Sequence, residues 1–95
     1  MEFLRELIGM YREDFQSKFP VLETAVAAVD HQAVREIGHY LKGSSANLSM
    51  ESLREAAFDM ETAGQDQDAE KAVRALETLR REFLRLEEFL AGMPD

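Results

Sequence analysis

Apolar residues recur every three or four positions along nearly the whole chain, and two-residue alternation is almost absent. This spacing places apolar side chains on one face of an α-helix, whereas a half-buried strand needs alternation. The longest stripe holds Ala69, Ala72, Val73, Leu76, Leu79, Phe83, Leu86 and Leu90. A second stripe holds Leu53, Ala56, Ala57, Met60 and Ala63. Amphipathic helices with short connections favour an antiparallel bundle, because each must bury its apolar face.

Pro20 predicts a break near the N-terminus. Proline disfavours helical geometry at the preceding residue, Phe19, and suits the first turn of a new helix. We therefore expect the first helix to end there and a short second helix to run to Val29.

Capping residues predict the remaining helix boundaries. Asp30 and Ser49 are N-cap candidates for the third and fourth helices, because their side-chain oxygens can accept from free backbone N–H groups. The polar segment 65–68 separates the fourth helix from the last one. We expect the chain end, 92–95, to fray.

Composition narrows the functional classes. A chain of 95 residues forms one small domain, 1–95. A net charge of -8 argues against nucleic-acid binding, which needs a basic face. No apolar run approaches the roughly 18 residues that cross a bilayer, and Arg5 and Glu6 interrupt any leader-like run, so we expect no membrane segment. The absence of cysteine fits a reducing compartment, and we expect a cytoplasmic protein.

The stretch 36–50 surrounds His39 with small residues that weaken a helix. Glycine in a helix interior costs about 1 kcal/mol relative to alanine, so Gly38 and Gly43 need another explanation. On a helical wheel His39 falls almost opposite the apolar side. That side holds Val34, Ile37, Leu41, Ser44 and Leu48. The outer stripe beside His39 holds Arg35, Lys42, Gly43 and Ala46, while Gly38 and Ser45 fall at the border.

This stripe suits an exposed phosphoryl acceptor. A neutral imidazole is a nucleophile near pH 7, because its ordinary pKa is about 6.5. Gly43 removes a side chain that would crowd an incoming group. Lys42 and Arg35 can bring positive charge to phosphate oxygens. Phosphoryl transfer depends mainly on positioning and charge stabilisation, so few residues suffice if a partner supplies the rest.

A structural interpretation of the same residues stays open. A lone surface histidine usually has no special role, and Gly43, Ser44 and Ser45 are also what close helix packing requires. His31 lies too far from His39 along the helix, and lacks the ligand spacing, for a metal site. Phe58 falls off the apolar face of its helix, and we expect it to pack against a neighbouring helix.

At these residues the chain resembles the histidine phosphotransfer (HPt) domain family. The family signature is similar to His-x-Leu-Lys-Gly-Ser followed by small residues, and residues 39–49 read HYLKGSSANLS. Residues 52–64, SLREAAFDMETAG, resemble the helix that follows in the family. The positions that match there are Leu53, Met60 and Glu61. Ser49 departs from the pattern, because many members have glycine there. The likeness extends over essentially the whole chain.

The resemblance implies a fold, a site and a partner. The fold is a four-helix bundle with an additional short N-terminal helix. His39 is the phosphorylated residue, at Nε2, and Lys42 assists the phosphoryl group. Gly43 leaves room for a response-regulator receiver domain. Arg35 and Ala46, which the helical wheel places on the same exposed stripe, are expected to face that partner as well. The receiver contributes its own aspartate and Mg²⁺, so the chain needs no cofactor. Hybrid sensor kinases are further expected partners, and we expect a monomer.

Three functional classes follow. No ATP-binding loop or kinase motif is present, so the leading hypothesis is a phosphocarrier rather than an enzyme, either separate or part of a larger kinase. The alternative is a helical adaptor that binds a receiver or kinase without phosphorylation. The dimerisation helices of a sensor kinase are disfavoured. They carry an acidic residue after the histidine and a nearby proline, whereas Tyr40 follows His39 and the next proline is Pro94.

Overall fold

The computed structural model describes residues 2–93, which form four α-helices and no strand. The helices are α1 (Glu2–Ala27), α2 (His31–Asn47), α3 (Glu51–Gln65) and α4 (Ala69–Ala91). The prediction of an all-helical chain is confirmed. The fraying expected at Pro94 and Asp95 lies outside the described residues. Within the described range, every helix is too short or too polar to cross a membrane.

The four helices pack in a ring around one core. Each helix contacts the next along the chain, and α4 returns to α1. The ion pairs Arg12–Glu87 and Glu23–Arg80 show that α1 and α4 run in opposite directions. The largest fully buried side chains are Leu22, Val34, Leu41, Ser45, Met60 and Leu79. All five apolar residues predicted for the buried face of α3 are buried.

The break predicted at Pro20 is wrong, because α1 continues through it from Glu2 to Ala27. A proline inside a helix costs about 3 kcal/mol, since it removes one backbone hydrogen bond and crowds the preceding turn. Phe15 and Leu22 lie on either side of Pro20, seven residues apart, so an unbroken helix places both on the same face, and both are buried. Pro20 itself is exposed. The additional short N-terminal helix is therefore not a separate element of residues 2–93.

Each of the three connections between helices contains one residue in the left-handed backbone region. The φ angles are 54° at Val29, 55° at Ser49 and 54° at Gln67. At the first connection, the Asp30 N–H donates to the Ala25 carbonyl at 2.9 Å. Equivalent backbone bonds occur at the other two. This is the Schellman arrangement, in which glycine is preferred at the left-handed position.

The two N-cap predictions have different outcomes. The Asp30 side chain accepts a bond from the Ala33 N–H at 3.2 Å, so that prediction is confirmed. The prediction for Ser49 is wrong, because Met50 occupies the cap position of α3 and makes no side-chain cap bond. Ser49 instead ends α2 with a positive φ. A glycine is least strained in that conformation, so Ser49 carries a backbone cost that glycine would avoid.

Replacing Val29 by glycine is expected to stabilise the protein by about 1 kcal/mol. A left-handed conformation costs a residue with a Cβ roughly 1–2 kcal/mol, and a β-branched side chain is especially unsuited to it. Val29 is 52% exposed, so little burial is lost. Urea unfolding followed by circular dichroism measures the change. Val21→Gly is the matched control: this exposed valine lies inside α1, so its replacement should destabilise. Equal effects of the two changes would contradict the argument.

Candidate functional site

Two glycines bring α2 and α3 unusually close together. A Cβ added to Gly38 would lie 2.5 Å from the backbone N of Glu61 and 2.9 Å from its Cα. A Cβ added to Gly64 would lie 2.7 Å from the Cα of Arg35. The pairs 38–61 and 35–64 also show that the two helices are antiparallel. The backbone of Glu61 therefore lies directly against α2, beside His39.

The close approach of α3 changes which face of α2 is buried. The buried residues of α2 are Val34, Gly38, Leu41 and Ser45. His39 is therefore not opposite the core, as the wheel predicted, but at the edge of the α2–α3 interface. Ser45 is fully buried, with its Oγ 2.8 Å from the Tyr11 hydroxyl. Ser44, predicted on the core side, is only half-buried and donates to the Tyr40 carbonyl at 3.1 Å.

A carboxylate joins the histidine and the lysine. Glu61 Oε2 lies 2.8 Å from His39 Nδ1, and Glu61 Oε1 lies 2.6 Å from Lys42 Nζ. The Glu61 side chain is only 16% exposed, whereas the His39 side chain is 70% exposed. One partly buried carboxylate thus holds two side chains of α2, while the histidine ring remains open to solvent.

The chemistry of this contact determines which ring nitrogen is free. The hydrogen bond from Lys42 is the main reason that the pKa of Glu61 lies below its ordinary value of 4.5. The bond from His39 lowers this pKa further, and burial opposes both. An ionised carboxylate only accepts hydrogen bonds, so His39 Nδ1 must carry the proton. In the neutral ring, Nε2 then holds the lone pair and is the nucleophilic atom.

The other predicted site residues lie on α2 but do not join this cluster. Gly43 is exposed, and a Cβ added there would meet no atom of another helix within 4 Å, so helix packing does not require glycine at this position. Ala46 is exposed one turn further on, and Arg35 is exposed one turn before His39. No hydrogen bond or ion pair within residues 2–93 joins Arg35 to His39 or Glu61. That range also contains no group of three side chains placed to hold a metal ion.

Sequence reasoning did not include Glu61 among the site residues. It lies 22 positions after His39 on another helix, and no periodicity within one helix connects the two. The available signal was its place in the stretch that resembles the HPt family. Phe58 was expected to pack against a neighbouring helix; its ring does meet Lys42 of α2, with Nζ 5.3 Å from the ring centroid. It nevertheless remains 50% exposed.

Comparison with protein families places the chain in a family. A family model described as the Hpt domain matches residues 6–89, which include His39, Lys42 and Glu61. A search of curated proteins found no match. The family match covers far more than half of the 95 residues. The chain therefore belongs to the Hpt domain family.

Proposed function

We propose that this chain carries a phosphoryl group on Nε2 of His39 and exchanges it with an aspartate of a response-regulator receiver domain. Membership of the Hpt family implies a histidine phosphotransfer role in a phosphorelay. The observation that supports His39 as the acceptor is its bond to Glu61, which occupies Nδ1 and leaves Nε2 free in an exposed ring.

The transfer needs only groups that the chain and a receiver supply. The Nε2 lone pair attacks the phosphorus of the receiver's aspartyl phosphate, so that a P–N bond forms while the P–O bond to the aspartate breaks. The aspartate leaves as a carboxylate, and the ring gains positive charge. Because Nδ1 keeps its proton, Glu61 stabilises that charge through the 2.8 Å bond. The Lys42 ammonium binds the same carboxylate as His39 does. Its positive charge is therefore near the reacting ring and can stabilise the phosphoryl oxygens.

The receiver would cover the exposed face of α2 around His39. Gly43 and Ala46 have little or no side chain, so they leave that face accessible, and Arg35 adds a positive charge to it. The chain as a whole carries a charge of -8, so Arg35 and Lys42 are a local positive exception that complements an acidic receiver pocket. Mg²⁺ belongs to the receiver in this proposal, and the chain contributes no cofactor.

Label transfer from a phosphorylated receiver tests the proposal. The chain is mixed with a receiver carrying radiolabelled phosphate and then denatured. We expect label on the chain that is lost in acid and kept in base, as for a phosphoramidate. Nuclear magnetic resonance of the imidazole should assign the phosphorus to Nε2. Binding of the receiver without label on the chain would instead support the adaptor, and label at Nδ1 would contradict the role given to Glu61.

Replacing Glu61 by glutamine is expected to slow phosphorylation of His39 by about tenfold. A hydrogen bond to a charged group contributes roughly 1.5–3 kcal/mol, and a neutral amide no longer enforces a proton on Nδ1. Initial rates of label transfer measure the effect. Glu55→Gln removes the same charge from an exposed position on α3 and should leave the rate unchanged. Equal rates for wild type and Glu61→Gln would contradict the role of the carboxylate.

The pH dependence of stability gives the same variant a second readout. Because folding lowers the pKa of Glu61, the ionised carboxylate contributes stability above its ordinary pKa of 4.5. That contribution is lost as the pH falls through the lowered value. The difference in free energy of unfolding between wild type and Glu61→Gln should therefore be largest near neutral pH and shrink in acid. A difference that grows in acid would have the wrong sign.

A further inference from the structure

Phe58 is an exposed aromatic residue that the core does not use. The buried residues of α3 are Leu53, Ala56, Ala57, Met60, Ala63 and Gly64. Phe58 lies off that face and is 50% exposed. Its ring instead meets the ammonium of Lys42, with Nζ 5.3 Å from the centroid. This distance is within the roughly 6 Å over which a ring face attracts a cation.

Two side chains of α3, Glu61 and Phe58, contact the ammonium of Lys42. Glu61 Oε1 lies 2.6 Å from Nζ, and Phe58 is three positions earlier on α3, where residues are surface neighbours. Glu61 does not bind Lys42 exclusively, because its other oxygen, Oε2, bonds His39. A free lysine side chain samples many rotamers, so two contacts restrict it much more than one.

The two contacts differ in what happens to them when a phosphoryl group arrives. The contact with Glu61 is ionic, and the phosphoryl oxygens compete for the same ammonium. The contact with Phe58 is not ionic, because the ring face carries no titrating group and accepts no proton. The ammonium can therefore turn from Glu61 towards the phosphoryl oxygens while the ring still limits its position.

We propose that Phe58 is a positioning residue for Lys42, which keeps the ammonium beside His39 during phosphoryl transfer. This inference rests on the proposed function, because it concerns the same site. Phe58 acts through Lys42, whose ammonium its ring contacts, and not on the reacting atoms themselves. An aromatic ring face, rather than apolar bulk, is the property that the position requires.

A small phosphoryl donor tests this without any receiver. Potassium phosphoramidate transfers its phosphoryl group to Nε2 as its own P–N bond breaks and ammonia leaves. We expect Phe58→Leu to lower the initial rate by about two- to fivefold, as loss of an exposed cation–π contact predicts. Phe58→Trp should keep the wild-type rate. In a Lys42→Ala background, Phe58→Leu should have no further effect. Urea unfolding of each variant verifies that it is folded.

Each outcome decides between the explanations. An unchanged rate for Phe58→Leu, or an equal loss in the Lys42→Ala background, overturns the inference. Labelling of wild type by a phosphorylated receiver in the same series upholds the proposed function. A loss seen with a phosphorylated receiver but not with phosphoramidate also overturns it, since Phe58 would then be a docking contact. Lack of labelling of wild type by both donors overturns the proposed function itself. In the unphosphorylated protein, the Lys42 ε-methylene protons should show an upfield ring-current shift that Phe58→Leu abolishes, and its absence in wild type overturns the contact.

Discussion

Replacing His39 by glutamine is expected to reduce acid-labile labelling of the chain to background. Glutamine has no ring nitrogen with a free lone pair, and its amide nitrogen is not a nucleophile at neutral pH. The fold should persist, because the His39 side chain is 70% exposed and glutamine can still donate to Glu61. We expect the free energy of unfolding to change by no more than about 0.5 kcal/mol, as for other surface substitutions. Label transfer from a phosphorylated receiver measures the loss.

The second histidine provides the matched control. The chain has only two histidines, and His31 is the first residue of α2, two turns before His39. His31→Gln should accept label at the wild-type rate. Normal labelling of His39→Gln would show that His39 is not the acceptor. Receiver binding that is unaffected by His39→Gln, with no label on either the wild-type or the variant chain, would favour an adaptor over a phosphocarrier.

The parts of the fold that depend on local rules were predictable. Apolar spacing identified the buried face of α3, and the short side chain of Asp30 correctly predicted the start of α2. Pro20 misled because a local rule was weighed without the burial of Phe15 and Leu22 on both sides of it. Ser49 misled because a cap and a left-handed turn favour overlapping sets of residues, and the backbone bonds of the connection decide between them.

The arrangement of the candidate cluster was predictable only as far as it lies on one helix. His39 and Lys42 are one turn apart on α2, so their proximity follows from helical geometry. Glu61 reaches them only because α2 and α3 approach closely at Gly38 and Gly64. The sequence contains both glycines, but it does not show that they face the opposite backbone. The same close approach rotates the buried face of α2 and moves His39 from the predicted outer side to the α2–α3 edge.

Replacing Gly38 by alanine should therefore weaken both the fold and the site. The new Cβ would lie 2.5 Å from the backbone N of Glu61, and backbone atoms cannot turn aside as a side chain can. The helices must separate or distort, which typically costs about 1–3 kcal/mol. Any separation also withdraws the Glu61 carboxylate from His39 Nδ1. We expect a lower urea midpoint together with slower label acceptance.

Gly43→Ala makes the same chemical change on the same helix and is expected to have the opposite effect on stability. Beyond the neighbouring backbone of its own helix, no atom lies within 4 Å of the added Cβ, so the substitution meets no packing obstacle. Alanine is a better helix former than glycine by about 1 kcal/mol, so the free energy of unfolding should rise. The two variants share this helix-propensity gain, and the difference between them isolates the contact at Glu61. If both alanines stabilised the protein equally, the backbones at Gly38 and Glu61 would not be in contact, and Glu61 would need another way to reach His39.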